Sequence, residues 1–206
     1  MIRYQSEQGF KIGPLGFLIV INLILYVATS IKPDLFIDLF GFQPASFLNE
    51  PWTILTNLFI HSPFNINSPF GSIWHILANM ITLYFFGSYV IRLVGEGRFL
   101  IVYFIGGIVG NLFFMLIETL TGSPYTIAIG ASGAVFAIAG TLTVMRPKLP
   151  VIIFPIPLPI PLWVAVIGGF IILSFARFVA WEAHLGGLLV GLIAGYIFRR
   201  RGRFFM

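Results

Sequence analysis

Residues 181–198 read WEAHLGGLLVGLIAGYIF. Glu182 and His184 stand near the start of this run, and the remainder is apolar apart from Tyr196. Its eighteen residues approach the length that a helix needs to cross a bilayer core of roughly 30 Å. Ala183, Gly187, Gly191 and Gly195 recur every four residues, which aligns them on one helix face. Small residues in such a stripe let a second helix axis come close, and His184 lies at the margin of that stripe.

Five further apolar stretches fit the same reading: Leu15 to Ile31, Ser72 to Ile91, Phe99 to Leu120, Ile129 to Met145, and Pro161 to Phe175. Composition agrees, because 58% of the 206 residues are hydrophobic and 9% charged, whereas soluble domains devote about a quarter of their residues to charge. A water-soluble domain and a disordered chain are both excluded. The expected fold is an all-α membrane protein, a bundle of six transmembrane helices forming one domain over residues 1–206 with short tails. The first stretch is expected to be a retained helix, since it is longer than a usual signal-peptide core and further spans follow. With no Cys and three His, disulfides and thiolate sites are excluded, and neither a metal nor a cofactor is expected.

If the N-terminus is cytoplasmic, the inside carries Arg3, Lys11, Arg92, Arg98, Arg146, Lys148, Arg199, Arg200, Arg201 and Arg203, and the outside only Lys32 and Arg177. That bias orients the chain with both termini inside. The terminal basic run reads as a topology signal and an anionic-lipid contact rather than a nucleic-acid site. The compact six-span plan and the lack of a targeting extension suit a prokaryotic plasma membrane.

Two connections are unusual. About forty residues between the first and second helices hold Asp34, Asp38, Glu50, Pro51 and Trp52 among many Phe and Leu. This loop is expected to lie partly in the membrane interface, with an ordinary packed loop as the alternative. Between the fourth and fifth helices, Pro147, Pro150, Pro155, Pro157, Pro159 and Pro161 forbid a helix and predict a stiff extended cytoplasmic connection; an SH3-type ligand is the alternative, disfavoured by the Ile, Leu and Phe between the prolines.

Polar groups inside a membrane are costly, so those present are candidates for function. Counting from the expected helix starts sets His75, Ser132 and His184 about three residues into helices that run from outside to inside, at one shallow level. Asn79 is four residues after His75 and shares its face. Gly130-Ala131-Ser132-Gly133 opens the fourth helix, where free N–H groups favour a developing anion. Gly133, Ala137 and Gly140 supply a small face that would let Ser132 reach His184. A serine needs a base to take its proton, and neutral His is the usual one. Ser132 is thus expected as nucleophile and His184 as base, with the Ser132 N–H, Asn79 and His75 holding the oxyanion. No acidic residue is placed to orient His184, so a dyad is expected rather than a triad. His61, in the long loop, reads as structural or interfacial.

These residues resemble the rhomboid intramembrane serine proteases over all six spans. The matching segments are Glu50-Pro51-Trp52-Thr53, Phe59-Ile60-His61, His75-Ile76-Leu77-Ala78-Asn79-Met80, Tyr103-Phe104-Ile105-Gly106-Gly107 with Gly110-Asn111, Gly130-Ala131-Ser132-Gly133-Ala134-Val135-Phe136, and Ala183-His184-Leu185-Gly186-Gly187. The resemblance implies cleavage of transmembrane protein substrates in or beside the bilayer, without metal or ATP. It implies the same roles for Ser132, His184, His75 and Asn79, with Gly130, Gly133 and Phe136 as supporting positions. It also implies a substrate entrance near Trp163 to Phe175 and a cap over Ser174 to Trp181. Three departures stand out. The first loop has no Arg to follow Trp52, Phe136 replaces a Tyr that often stacks on the histidine, and Ile91 stands where many members carry an acid. A catalytically silent client-binding relative and a small transporter with His184 as proton relay are the alternative readings. The oligomeric state is not legible.

Overall fold

The computed structural model describes residues 12–153, 156–176 and 179–202. Arg3, Lys11, Arg177 and Arg203 lie outside the described residues. The elements are α1 (Pro14–Ile31), α2 (Pro33–Phe40), α3 (Thr53–Thr56), α4 (Pro69–Val94), α5 (Glu96–Leu120), α6 (Ser132–Met145), β1 (Pro150–Ile153), β2 (Ile156–Pro161), α7 (Leu162–Ser174) and α8 (Trp181–Gly202). Four of these, α1, α4, α5 and α8, are long and apolar enough to cross a bilayer. The chain is an integral, multi-pass membrane protein built mostly of helix.

The six expected spans are not of one kind. Helices α6 and α7 have 14 and 13 residues, about 20 Å each at 1.5 Å per residue. The expected fourth span loses its first turn because Gly130 adopts φ +121°, a backbone region closed to helix and open mainly to glycine. The fifth loses Pro161 to a strand. All-α is likewise corrected: β1 and β2 pair antiparallel, with Val151 opposite Ile160 and Pro150 opposite Pro161. The proline-rich link is extended as expected, but it folds back into a hairpin. Proline suits a strand edge that needs no donor.

Helix α6 is the central post and touches α4, α5, α7 and α8. Ala134, Ala137, Ile138 and Leu142 are wholly buried on it, as is Ala131 just before its first turn. Helices α4 and α5 are joined by one residue, Gly95, whose φ of +86° turns the chain back. The stripe read from the sequence is the α6–α8 interface. A Cβ at Gly187 would strike the Gly133 carbonyl oxygen, and one at Gly191 would strike that of Ala137. At Gly195 the Thr141 carbonyl oxygen would be 2.6 Å away. Thr141 Oγ1 also donates across the interface to the Gly191 carbonyl at 3.1 Å. Helix α8 packs on α5 in the same manner, since a Cβ at Gly110 would lie 2.6 Å from the Ala183 carbonyl oxygen.

The long first connection is packed onto the bundle through α2, α3 and short 3₁₀ turns. Phe42 and Ala128 exchange backbone hydrogen bonds of 2.9 and 2.8 Å, and Ala45 N–H donates to the Pro124 carbonyl at 2.9 Å. Leu35, Leu39, Leu48 and Trp52 remain exposed on it.

The α6–α8 contact generates a direct expectation. Gly187→Val has no space for its side chain, so the helices must separate. We expect a loss of roughly 1–3 kcal/mol or more, read as a lower Tm in detergent, whereas Ile193→Val on the exposed face stays within about 0.5 kcal/mol of the parent.

Candidate active site

Close backbone approach brings the first turn of α6 against the first turn of α8. Ser132 is the first residue of α6 and His184 the fourth of α8, and Ser132 Oγ lies 2.8 Å from His184 Nε2. His184 is almost wholly buried, whereas Ser132 is half-buried. Phe136, one helical turn after the serine, stacks on the imidazole with ring centroids 4.6 Å apart and planes at 29°. Phe170 of α7 meets the edge of Phe136 at 6.1 Å. His184 Nδ1 has no hydrogen-bond partner among the described residues. The ring is therefore held by stacking and packing, with no carboxylate behind it.

His75 is the seventh residue of α4, not the third. The helix begins at Pro69, three residues before the expected Ser72, and His75 still converges on the same place as Ser132. A Cβ at Gly130 would sit 3.0 Å from His75 Nε2 and 3.8 Å from Ser132 Oγ, so glycine is required there for space as well as for its backbone conformation. The Ser62 backbone N–H donates to His75 Nδ1 at 3.3 Å, and Ser62 Oγ is 3.1 Å from the same atom. An N–H can only donate, which makes Nδ1 an acceptor and assigns the proton of the neutral ring to Nε2. His75 thus turns an N–H donor toward Gly130 and Ser132. Asn79 is buried, and its amide nitrogen donates to the His75 carbonyl at 2.8 Å, leaving the second hydrogen of that NH₂ group.

The segment that presents Ser132 is fixed by Asn57, which sequence reasoning passed over, and by Asn111, which it quoted only within a matching segment. Asn57 accepts from the Gly130 N–H through its carbonyl at 3.0 Å. Its side chain pairs reciprocally with that of Asn111 on α5 at 3.0 and 2.8 Å, and Asn111 also donates to the Ile54 carbonyl at 2.8 Å. A void of about 10 Å³ lies between these amides and Ser132, bounded also by Gly107, Gly133 and Ala180. That is about the space of one water, and it has polar walls. Neither Asn57 nor Ser62 stands on a helix with a periodic pattern, so only their positions beside quoted motifs could have flagged them.

His61 is wholly buried behind His75, with ring centroids 5.2 Å apart. It lies in the connection rather than in a spanning helix. Burial, and secondarily the neighbouring His75, lower its pKa from 6.5 to about 3. It belongs to the wall of the site as a neutral ring. Among the described residues no group of three His, Asp or Glu is arranged to hold a metal ion.

A family model described as "Rhomboid domain" matches residues 48–201. Among curated proteins, the chain is similar to "Rhomboid protein 1, mitochondrial" of Saccharomyces cerevisiae, 29% identical over 129 residues, or 60% of this chain and 37% of that protein. It is 31% identical to "Rhomboid-like protease 3" of Toxoplasma gondii over 156 residues, 74% of this chain and 53% of the relative. It is 26% identical to "Putative rhomboid protease YdcA" of Bacillus subtilis over 150 residues, 70% of this chain and 69% of the relative. The chain thus spans about a third of the yeast protein's length and about half of the Toxoplasma protein's.

The buried neutral His61 sets an acid limit on stability. Its ordinary pKa of 6.5 applies in the unfolded chain and about 3 in the folded one. The contribution is therefore complete above pH 6.5 and is lost as pH falls toward 3, where only the unfolded chain binds the proton. Thermal melts at pH 7 and pH 4.5 should show a smaller acid-induced drop in Tm for His61→Phe than for the parent; equal drops would remove His61 from this role.

Proposed function

Because the chain belongs to the rhomboid family, we propose that it is an intramembrane serine endopeptidase acting on transmembrane protein substrates through a Ser132–His184 dyad. The single observation that carries this reading is the 2.8 Å contact between Ser132 Oγ and His184 Nε2. It joins a weak nucleophile to a base in a half-buried setting, and relatives are named rhomboid proteases.

In the proposed mechanism Ser132 Oγ attacks the scissile carbonyl carbon while His184 Nε2 takes the hydroxyl proton. The oxyanion is held by the Ser132 N–H, His75 Nε2–H and the second Asn79 amide hydrogen. Gly130 and Gly133 leave room for the peptide backbone beside the nucleophile. His184 then gives its proton to the leaving amine as the C–N bond breaks. In the second half, water attacks the acyl-enzyme with His184 again as base, and the void beside Asn57 and Asn111 offers it a waiting place. Phe136 keeps the imidazole plane in register by stacking, the task that a carboxylate performs in a triad. No metal or cofactor takes part.

We assign the site to the non-cytoplasmic side of a prokaryotic plasma membrane, with both termini cytoplasmic. Support comes from Arg92, Arg98, Arg146, Lys148, Arg199 and Arg200, which all fall at the ends of helices remote from Ser132.

Purified protein mixed with a single-pass membrane substrate should cleave it, with loss of activity in Ser132→Ala and His184→Ala. His75→Ala should reduce kcat on the order of 10² to 10³. A serine-directed fluorophosphonate should label Ser132. Cleavage undiminished in Ser132→Ala rejects the assignment, and a folded protein that neither cleaves nor takes the label is the silent client-binding relative instead.

A further inference from the structure

Helix α7 is moored to the bundle mainly through its first half. Its buried residues are Leu162, Ala165 and Val166, and the Leu162 and Trp163 N–H groups donate to the Leu149 and Pro147 carbonyls at 2.9 and 3.2 Å. Beyond them the packing loosens. Among the described residues, a Cβ at Gly168 or Gly169 would meet nothing within 4 Å, so this glycine pair does not serve the close backbone approach that joins α6 to α8. Ile171, Ile172 and Leu173 are exposed. In this second half, the side chain packed against the hydrophobic core is Phe170.

Phe170 makes its contact with a ring that matters. Its centroid lies 6.1 Å from that of Phe136, with the planes at 81°, the perpendicular arrangement that aromatic quadrupoles favour. Phe136 is only half-buried, so the core does not enclose it. Its aromatic neighbours among the described residues are Phe170 and His184. A ring with an open side can move to another rotamer, and the perpendicular contact opposes that movement.

His184 depends on this ring because it has few other constraints. Its Nδ1 has no partner among the described residues, and its Nε2 lies 2.8 Å from Ser132 Oγ. One hydrogen bond fixes a point on the imidazole but not its plane. The plane follows the stack on Phe136, with centroids 4.6 Å apart and planes at 29°. A base takes a proton only when its lone pair is within reach and aimed at the donor. Phe170, Phe136, His184 and Ser132 thus form one series of contacts from α7 to the hydroxyl.

We propose that Phe170 is a positioning residue for His184, acting through Phe136 to keep the imidazole plane aligned on Ser132 Oγ. Its kinetic consequence rests on the reading of Ser132 and His184 as nucleophile and base, whereas the transmission from α7 to the imidazole does not. Phe170 supplies from a neighbouring helix the constraint that a triad obtains from a carboxylate. Leucine at 170 would keep an apolar contact with the core but present no ring to Phe136.

The full chain is produced with carbon-13 at the histidine Cε1 positions, and variants are used once gel filtration and circular dichroism in detergent verify folding. The chain has three His, and the His184 resonance is the one lost in His184→Asn. In the parent, the ring current of Phe136 should hold the His184 Hε1 proton upfield of its position in Phe136→Leu. Phe170→Leu should carry the resonance a large part of the way to that position. Phe170→Tyr, which keeps the ring, should return it, and Ile172→Ala, which thins the exposed face of the same helix, should not displace it. A resonance unmoved in Phe170→Leu overturns the proposal, as does one that Ile172→Ala moves equally. Labelling by the fluorophosphonate gives the kinetic readout. Phe170→Leu should slow it roughly ten-fold, and the Phe136→Leu/Phe170→Leu pair should be no slower than Phe136→Leu alone, because the second loss acts through the first. Fully additive losses overturn the route through Phe136. A parent that takes no label overturns the Ser132 reading instead, and the resonance still judges Phe170. Should Phe170→Leu not fold, Phe170→Met repeats both measurements.

Discussion

Helices α6 and α8 touch backbone to backbone, and the rest of the molecule is arranged around that contact. A single added carbon at Gly187 or Gly191 would collide with a carbonyl of the facing helix. Close approach of this kind draws on dispersion and carbonyl contacts rather than on apolar burial, since lipid removes the usual drive to bury apolar surface. It has a chemical consequence. Ser132 and His184 extend from the first turns of the two helices, and their short side chains meet only because the axes are so near.

The contact alone would not aim the serine. The segment before α6 is held from outside the bundle by the first connection, through the Phe42–Ala128 pairing and the Asn57–Gly130 bond. The Asn57–Asn111 amide pair ties that connection in turn to α5. Gly130 answers several demands at once: a positive φ, the bond to Asn57, and space for the His75 ring. A stretch that composition describes as an apolar loop is in effect the clamp of the site. It also supplies Ser62, whose backbone fixes which nitrogen of His75 carries the proton.

Two helices fall short of a bilayer for different reasons. Helix α6 can be short because it is a buried post surrounded by longer neighbours. Helix α7 is short because Pro161 belongs to β2 and ends the helix on that side, with the Leu162 N–H donating to the Leu149 carbonyl instead. The rule that proline breaks helices was legible in the sequence. That the broken segment pairs with Pro150–Ile153 was not, because hairpin partners are set by which edges meet.

The sequence by itself determined the solvent, the main spans, and the residue types able to do chemistry. Apolar length and the penalty on buried polar groups act locally and leave their mark in composition and period. The four-residue recurrence of Ala183, Gly187, Gly191 and Gly195 even disclosed the face on which α8 packs. Only the tertiary structure decided how far into each helix the three polar residues stand, because helix starts are set by Gly130, by Pro161 and by neighbours distant along the chain. It alone brought Asn57, His61 and Ser62 to the site, since loop residues carry no periodicity and acquire their partners from the folded arrangement of other elements.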